Sequence, residues 1–423
     1  MLEKRILRRR QFMKQAGGGM AILGATPAVL GAASANDRLN VGVIGVGRRG
    51  RGHLRHLVES SESYNIKVLA VCDIYRPRLD AAVERSGGQG YSDYRELLSR
   101  GDLDAVVIAS PDHWHAKMCI DAINAGCDVY CEKPWTRYAH EAKEVYHLVK
   151  KEKRILQVGT QHTADGRYWA ARDAIKKGLI GKTVWSQTSY SRNYRTGAWN
   201  YTVETSASPE NLDWEAFLGS AASKPFNREH YFRFRKYWDY SGGIATDLHY
   251  HKLAPILLAV GADFPHRVTS GGGVWVHKDP GHPSPREVPD TFMTILDMPT
   301  EHSILLASSM ANSDGLRDVV RGHEAKLEFA GGGVEIRPDS LYREKFVSRN
   351  DSDVIRIPAQ PREQHMQNFF SCVRSRREED LNCGPDLGYP TMVCIAMSVK
   401  AYRENKVLYW DREREEIVEA DPS

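Results

Sequence analysis

The chain has 423 residues, of which 41% are hydrophobic and 26% charged, and its formal net charge is +4 at pH 7. The length predicts two domains, and the composition is typical of a soluble globular enzyme. Residues 1–35 hold six Lys or Arg and one acid, so the basic excess belongs to that segment. The charge therefore gives no reason to expect a nucleic acid or a membrane surface as a partner.

Residues 1–35 have the three parts of an export signal: a basic start, a short apolar run and a small-residue cleavage site. Arg9 and Arg10 in "RRRQFMK" resemble a twin-arginine signal, and the apolar run 16–30 is too short to span a bilayer. We therefore expect a periplasmic or otherwise exported protein without a transmembrane span, whose mature chain starts near Asn36. A disordered basic tail without export is the alternative.

The seven cysteines, an odd number, do not predict a disulfide framework. Cys72, Cys119, Cys127 and Cys131 fall on or beside segments that should be buried, where a free thiol behaves as a small apolar residue. Free thiols indicate folding in a reducing compartment. This agrees with the twin-arginine route, which carries proteins that have already folded.

Residues 36–158 are predicted to form a dinucleotide-binding Rossmann domain. Short apolar strands alternate there with helical segments, which is the pattern of an α/β fold with a doubly wound parallel sheet. The predicted strands are 40–45, 66–72, 104–110, 127–134 and 154–159.

Residues 159–423 are predicted to form a substrate-binding α+β domain with a mostly antiparallel sheet, because strand-like segments now follow one another without helices between them. These segments are 184–190, 268–276, 291–298, 303–310 and 326–329. Two late helices, 363–376 and 387–404, end the fold, and whether they pack back on the first domain is left open.

The first functional motif is G-x-G-x-x-G, formed by Gly45, Gly47 and Gly50 with Arg48 and Arg49 between the last two glycines. The glycines allow a tight turn, close approach of the backbone to a pyrophosphate, and packing of the helix on the strand. The helix N-terminus then presents free N–H groups to the phosphates. The motif follows a predicted strand and opens a helix, so these residues are predicted to bind a dinucleotide.

The specificity for the dinucleotide is predicted from Asp73, which closes the second strand. A carboxylate there hydrogen-bonds the adenosine ribose and repels a 2′-phosphate, which favours NAD over NADP. Arg76 and Arg78 keep NADP open as the less favoured cofactor.

The second motif is Glu132-Lys133-Pro134 at the carboxyl end of a strand in the same sheet, where ligands of such sheets bind. A shielded lysine near the nicotinamide can donate a hydrogen bond to the oxygen that is oxidised or reduced and can take part in proton transfer. A solvated lysine that merely ends a strand is the alternative.

The third motif is "GGIATDLHYH", which places Asp247 and His251 four residues apart on one predicted helix face. His251 is a natural proton acceptor when a hydroxyl loses a hydride, and Asp247 can orient the imidazole or the substrate. The alternative for this motif is a capped helix with a satisfied core histidine. His249 is expected to point away from His251 and is not an obvious co-ligand. The two His-x-His pairs, His113/His115 and His249/His251, lack a compact metal motif, so no metal is predicted.

Together these motifs, in this order and with "ASPDHWHA" between them, resemble the Gfo/Idh/MocA oxidoreductase family over nearly all of the mature chain. The resemblance implies that Lys133, Asp247 and His251 line the catalytic site. It further implies that Ser110, Pro111, His115 and Glu132 border the nicotinamide, and that the second sheet is open and forms dimers or tetramers.

The substrate contacts are less well defined by the sequence. Many relatives place an arginine soon after the sixth strand, whereas this chain has Gln161 and His162 there. The segments "SQTSYSRNYRTGAWNY" and "HYFRFRKYWDYSGG" mix aromatic rings with polar groups, as sugar sites do. They contribute the candidate substrate residues Arg192, Asn193, Tyr194 and Trp238, beside Gln161.

The sequence thus predicts an NAD-dependent oxidoreductase that moves a hydride between a sugar, cyclitol or glycoside hydroxyl and a tightly bound nicotinamide. Tight binding is expected because an exported protein meets no pool of free dinucleotide. One alternative is a redox-neutral enzyme that cleaves or epimerises glycosides with the same residues. Another is a non-catalytic sugar-binding or sensing module, which would not need Lys133, Asp247 and His251 together.

Overall fold

The computed structural model describes residues 38–282 and 285–422. The predicted export signal lies outside these residues and stays a prediction. Among the helices of the described ranges, none is both long enough and apolar enough to cross a membrane.

The first sheet has six parallel strands in the order β3-β2-β1-β4-β5-β6, which confirms the predicted Rossmann sheet. Its strands are β1 Leu39–Ile44, β2 Ile66–Cys72, β3 Gln89–Tyr91, β4 Ala105–Ile108, β5 Asp128–Glu132 and β6 Leu156–Gly159. Strands β4, β5 and β6 are buried along their whole length, as near-continuous apolar runs predict. Strand β3 was not predicted, because three partly exposed residues at a sheet edge carry no apolar pattern.

Helices connect these strands and cover both faces of the sheet. They are α1 Arg48–Glu59, α2 Arg76–Ser86, α3 Tyr94–Ser99, α4 His115–Asn124 and α5 Ala139–Glu152, with a short 3₁₀ turn at Asp112–Trp114. Gly47 is the N-cap of α1, so the glycine loop leads straight into the helix N-terminus as predicted. The N-terminus of α1, with its unpaired backbone N–H groups, therefore lies at the carboxyl end of β1.

The second sheet has ten strands in the order β16-β15-β14-β13-β7-β11-β10-β9-β17-β18, and only the β7–β11 pair is parallel. The prediction of a mostly antiparallel sheet is confirmed. Its strands are β7 Thr183–Thr188, β9 Arg267–Gly273, β10 Thr291–Met298, β11 His302–Ser309, β13 Val319–Gly322, β14 Ala325–Ala330, β15 Gly333–Pro338, β16 Ile355–Pro358, β17 Leu408–Asp411 and β18 Glu416–Val418. Two short strands, β8 Arg192–Asn193 and β12 Ala311–Asn312, pair separately.

The sequence prediction missed β13 and β15–β18. These strands have three to six residues and include charged or proline positions, so their apolar alternation is too short to distinguish them from loops.

Residues 166–404 also form helices. They are α6 Gly166–Lys176, α7 Trp214–Leu218, α8 Arg228–Phe232, α9 Tyr250–Val260, α10 Arg343–Asn350, α11 His365–Ser375 and α12 Pro385–Glu404. A π-helical turn, Ala245–His249, precedes α9, where the sequence predicted an ordinary helix. Such wider turns are frequent at functional sites.

The late helix α11 packs on the first sheet rather than on the second. Phe369, Phe370 and Val373 share one apolar cluster with Val41 and Val43 of β1. The helix α12 contacts both α5 and β9. The end of the chain therefore ties the two sheets together.

All seven cysteines are free and buried, as the sequence analysis expected for the four it considered. Burial raises the pKa of Cys127 to about 12 and also raises the pKa of Cys72, which borders the carboxylate of Asp73. These thiols therefore remain protonated and unreactive at neutral pH.

Candidate active site

One cavity of about 580 Å³ runs along the carboxyl ends of the first sheet and continues to the start of α9. The glycine loop and Asp73 line one end, and Lys133, Asp247 and His251 line the other. The three sequence motifs, although far apart in the chain, therefore meet at one cavity.

The glycine loop has the close backbone approach that its sequence predicts. Gly45 has a φ of +81°, and a Cβ at this position would lie 2.9 Å from the backbone of Ala109. A Cβ on Gly50 would lie 1.8 Å from the carbonyl oxygen of Gly45. Residues with side chains cannot build this turn, so the loop keeps the α1 N-terminus open to the cavity.

A buried hydroxyl group in the cavity wall fits a bound cofactor. Ser110 lines the cavity next to Pro111, and its Oγ is sealed from solvent without a hydrogen-bond partner among the described residues. Buried polar atoms are rarely left unpaired. A ligand group in the cavity would supply the missing partner.

Asp73 lies at the predicted adenosine end, where its carboxylate supports the glycine loop. Its Oδ2 accepts a hydrogen bond from the Val46 N–H at 2.9 Å, and its Oδ1 accepts one from the Tyr75 N–H at 2.9 Å. Burial raises the pKa of Asp73, while Arg78 and these hydrogen bonds oppose the rise. The loop contact adds to the ribose contact predicted from the sequence.

An aromatic cluster, which we call the aromatic cover, encloses this end of the cavity. Its members are Tyr75, Ala207, Leu212, Trp214, Phe217, Leu218, Tyr231, Phe232, Tyr237 and Tyr240. Tyr75, which follows β2, is fully buried against residues that come more than 130 positions later. The guanidinium of Arg78 lies 5.1 Å from the Tyr231 ring and 5.0 Å from the Phe232 ring. Sequence analysis did not find this cover, because it joins Tyr75 of the first domain to residues 207–240, and no local pattern indicates that contact.

The predicted catalytic lysine and aspartate are in direct contact. Lys133 Nζ donates to Asp247 Oδ1 at 2.6 Å and to the Asp247 carbonyl oxygen at 2.8 Å. Both side chains are about nine-tenths buried. An ammonium group has three N–H donors, so one remains for a ligand in the cavity. The Lys133–Pro134 peptide bond is cis.

Two further donors hold the Asp247 carboxylate. Arg235 Nε donates to Oδ1 at 3.0 Å, and Trp199 Nε1 donates to Oδ2 at 2.8 Å. Burial alone would raise the pKa of Asp247, but Lys133 and Arg235 outweigh it and hold the pKa well below its usual range. Asp247 therefore stays ionised and orients Lys133, rather than the imidazole of His251.

The segment that carries Asp247 is fixed by a residue of the first domain that sequence analysis did not select. Asp112 is 2% exposed, and its Oδ2 accepts hydrogen bonds from Ser241 Oγ at 2.7 Å and Thr246 Oγ1 at 3.1 Å. This contact holds the start of the π-helical turn against the Rossmann domain. Nothing in "PDHW" distinguishes such a contact from an ordinary helix cap.

His251 lies at the same end of the cavity as Lys133. Its Nδ1 lies 3.3 Å from Thr160 Oγ1, while its Nε2 has no hydrogen-bond partner among the described residues. Burial, assisted by the positive charge of Lys133, holds the pKa of His251 well below its usual value. The imidazole is therefore neutral at neutral pH and can accept a proton.

Glu132 borders the cavity and organises its floor. Its Oε1 accepts hydrogen bonds from Arg49 Nε at 2.8 Å and Gln161 Nε2 at 3.2 Å, and lies 2.6 Å from His53 Nε2. Burial would raise the pKa of Glu132, but His53 and Arg49 hold it well below its usual range. The carboxylate therefore fixes Arg49 and Gln161 in place.

His115 does not border the cavity, contrary to the sequence prediction. Its ring is 1% exposed, with Nδ1 2.6 Å from the Pro134 carbonyl oxygen and Nε2 2.8 Å from the Ser110 carbonyl oxygen. Both ring nitrogens thus serve the backbone. His115 therefore connects the loop of Ser110 to the loop of Pro134 and stabilises the cavity wall without lining it.

Three of the five predicted substrate residues also lie elsewhere. Gln161 and Arg192 line the cavity, but Asn193 is exposed and Tyr194 is 48% exposed in the turn after β8. Trp238 packs instead on α12, with its ring 6.1 Å from that of Tyr402. Strand alternation and turn geometry separate neighbours that the sequence pattern had grouped together.

His249 is a core residue and is not among the residues that line the cavity. It is fully buried, its Nε2 lies 3.0 Å from Ser308 Oγ, and burial lowers its pKa to about 3. Among residues 38–282 and 285–422, no group of three or more His, Cys, Asp or Glu side chains is arranged to hold a metal ion.

The fold and the cavity define an NAD-binding oxidoreductase of the Rossmann type with a second α/β domain. Residues 39–160 match the description "Oxidoreductase family, NAD-binding Rossmann fold", and residues 170–274 match "Oxidoreductase family, C-terminal alpha/beta domain". Both descriptions belong to one family, and together they cover more than half of the chain. The chain is a member of the Gfo/Idh/MocA oxidoreductase family, and its cofactor is NAD.

Similar proteins include sugar and cyclitol enzymes. Inositol 2-dehydrogenase of Salmonella typhimurium is 33% identical over 149 residues, which are 34% of this chain and 44% of that protein. Alpha-N-acetylgalactosaminidase of Shewanella oneidensis is 26% identical over 180 residues, which are 38% of this chain and 39% of that protein. The chain thus spans less than half the length of either curated relative.

The solved structures extend the likeness to nearly the whole fold. Levoglucosan dehydrogenase in complex with NADH is similar with a TM-score of 0.64 at 19% identity, covering 88% of this chain and 98% of that chain. A putative myo-inositol dehydrogenase from Sinorhizobium meliloti has a TM-score of 0.59 at 19% identity, with 88% and 99% covered. At this identity the likeness describes the fold.

Proposed function

We propose that the protein is a dehydrogenase that oxidises a hydroxyl group of a sugar, cyclitol or glycoside with tightly held NAD. The observation that carries this proposal is the contact of Lys133 with Asp247 at the cavity end that also holds His251. The names of the inositol and levoglucosan dehydrogenases among the similar proteins support a polyhydroxylated substrate. A module that only binds sugar would not require this buried pair.

Lys133 and His251 have different roles in the proposed reaction. Lys133 points its third N–H at the substrate oxygen, and His251 Nε2 takes the hydroxyl proton when the adjacent carbon loses its hydride. NAD supplies the hydride acceptor when it is bound. Asp247 holds the Lys133 ammonium in place. In the tautomer of His251 that carries its proton on Nδ1, which faces Thr160 Oγ1, the lone pair lies on Nε2.

The aromatic cover supports tight retention of the cofactor. It lies over the adenosine end of the cavity and is joined to the first domain by backbone hydrogen bonds, Arg76 N–H to the Asn211 carbonyl oxygen and Asp213 N–H to that of Ile74. Opening the cleft would expose several buried aromatic rings. Retention would allow the protein to work in the periplasm, the location we propose from the twin-arginine pattern in residues 1–35.

The first test of this proposal is to purify the protein, denature it and measure the released dinucleotide. The second is to mix the native holoenzyme with neutral sugars, acidic sugars and inositol and to monitor the absorbance at 340 nm. We expect about one NAD per chain and reduction by at least one polyol. Empty protein that binds NAD only weakly would contradict tight retention. Full cofactor without reduction by any polyol would contradict the dehydrogenase.

A second candidate is a redox-neutral enzyme that cleaves glycosides with the same residues. The enclosed cofactor favours it, since a retained NAD must be restored within the site, and one similar protein is an alpha-N-acetylgalactosaminidase. Aryl glycosides distinguish the two: release of the aglycone without net NADH supports cleavage, and net NADH supports the dehydrogenase.

The pH dependence tests the assignment of His251. Because burial and Lys133 lower its pKa, the neutral form persists below pH 6.5, and kcat/KM should fall only as the pH drops further. The measurement is a pH profile between 4.5 and 8, with circular dichroism at each point to confirm folding. The control variant His162→Gln removes the neighbouring imidazole and should show the same fall in kcat/KM at low pH. A fall in kcat/KM centred above pH 7 would contradict the assignment of His251 as the base.

We also propose that two copies associate through the open face of the second sheet. Met293 is 50% exposed and Ile295 is 44% exposed on β10, opposite Ala307 and Leu305 of β11. Pairing this face with itself would remove apolar area from water and form a closed dimer. The double change Met293→Lys with Ile295→Lys should give a monomer by light scattering, while Leu341→Lys, at an exposed apolar residue off the sheet, should not.

A further inference from the structure

The catalytic end of the cavity is rich in cationic side chains. Lys133, Arg192 and Arg235 line this end together with the carboxylates of Glu132 and Asp247. Arg48 and Arg49 of the glycine loop line the same cavity. Cations that line one cavity repel each other unless anions lie between them. The pairing of these groups therefore indicates what else the cavity is built to hold.

The two carboxylates are already shared. Glu132 pairs with Arg49 at 2.8 Å, and Asp247 pairs with both Lys133 at 2.6 Å and Arg235 at 3.0 Å. The terminal nitrogens of Arg235 make no hydrogen bond to the described residues. The group around Asp247 therefore keeps a net positive charge that faces the cavity.

Arg48 and Arg192 have no carboxylate partner among the described residues. Arg48 lies over the Tyr201 ring at 4.1 Å and belongs to the glycine loop, so the pyrophosphate of the cofactor accounts for it. Arg192 lies over the Tyr190 ring at 4.6 Å, and the Tyr190 ring is 6.2 Å from that of His251. Arg192 therefore lies at the end of the cavity that holds His251, which is the predicted substrate end.

Arg192 and Arg235 line the same cavity, together with Lys133 and His251. Planar guanidinium groups recognise carboxylate and phosphate oxygens in pairs. A neutral sugar would leave the charge of Arg192, and the net positive charge of the group formed by Lys133, Asp247 and Arg235, without an anion in a partly buried site.

We propose that the substrate carries an anionic group, a carboxylate or a phosphate, which Arg192 binds with the help of Arg235. The substrate class is thus a sugar acid or a phosphorylated polyol rather than a neutral sugar. This inference rests on the proposed dehydrogenase for its kinetic test, while its binding test does not depend on turnover.

The kinetic test compares matched substrates on the NAD-loaded protein: D-glucuronate, D-galacturonate, D-gluconate and D-glucose 6-phosphate against D-glucose, D-galactose and myo-inositol. We expect kcat/KM to be at least about tenfold higher for the best anionic compound than for the best neutral one. The Arg192→Met variant should lose this preference. Its KM for the anionic compound should be about 100-fold higher, while its kcat should change little. The kcat/KM for neutral compounds should fall far less than the kcat/KM for the anion.

The matched control is Arg195→Met, since Arg195 is an exposed arginine in the turn just after β8. It should leave every rate unchanged. A preference for D-glucose 6-phosphate over the sugar acids would still support the inference and would identify the anionic group as a phosphate. Neutral sugars preferred by the unchanged protein, with Arg192→Met equally active, would overturn the inference while leaving the dehydrogenase intact.

The binding test uses calorimetry with the same compounds on the NAD-loaded protein. Anionic compounds should bind more tightly than their neutral counterparts in low salt, and raising the salt concentration should weaken that binding alone. Arg192→Met should bind both classes equally. If no compound reduces the cofactor, the dehydrogenase proposal fails, and this binding difference still decides the inference.

Discussion

Replacing Lys133 with Met should reduce kcat/KM by about 10³-fold, or about 4 kcal/mol of transition-state stabilisation, while NAD stays bound. Methionine keeps the volume of the side chain but removes the ammonium group that Asp247 orients at 2.6 Å. The substrate oxygen then loses its hydrogen-bond donor. The negative charge that develops on this oxygen as the hydroxyl proton leaves is no longer stabilised by a cation. The measurement is steady-state NADH formation, with released dinucleotide determined in parallel.

Folding is the necessary control for this change, because Asp247 is buried and removing a partner of a buried pair usually destabilises a protein. Arg235 and Trp199 still hold the carboxylate in the variant, so we expect a folded protein with a moderately lower Tm. Lys133→Arg keeps the ion pair and should restore the Tm without restoring the rate. Unchanged turnover in Lys133→Met would contradict the catalytic role.

Replacing Gly50 with Ala should remove NAD binding, with a loss of affinity of about 100-fold or more. The added Cβ would lie 1.8 Å from the Gly45 carbonyl oxygen, so the turn and the helix N-terminus must separate. Overpacking commonly costs about 1–3 kcal/mol of free energy. The cost of this backbone overlap should lie at or above the upper end of that range, which corresponds to the stated loss of affinity. The measurement is calorimetric titration of cofactor-free protein with NAD.

Gly52 offers a matched control on the same helix, since a Cβ there would meet no atom within 4 Å. Gly52→Ala should leave NAD affinity unchanged and raise the Tm slightly, because Ala favours helix over Gly by about 1 kcal/mol. Equal NAD affinity in Gly50→Ala and in the unchanged protein would show that the loop does not hold the pyrophosphate.

Much of the first domain was predictable because its signals are local. The apolar runs of β4, β5 and β6, the glycine turn and the position of Lys133 at a strand end all follow from residues adjacent in the chain. The second sheet was only partly predictable. Its short strands β13 and β15–β18 gain stability from pairing with neighbouring strands, and that pairing leaves little pattern in a segment of three to six residues.

The sequence by itself determined the type of cofactor site and the three motifs that carry the chemistry. It did not separate Arg192, which lines the cavity, from Asn193 and Tyr194, which face solvent, because one turn decides the direction of each side chain. Only the tertiary structure joined Lys133 to Asp247 across 114 positions and closed the aromatic cover over Asp73. Periodicity encodes contacts within an element, whereas contacts between elements depend on how the whole chain packs.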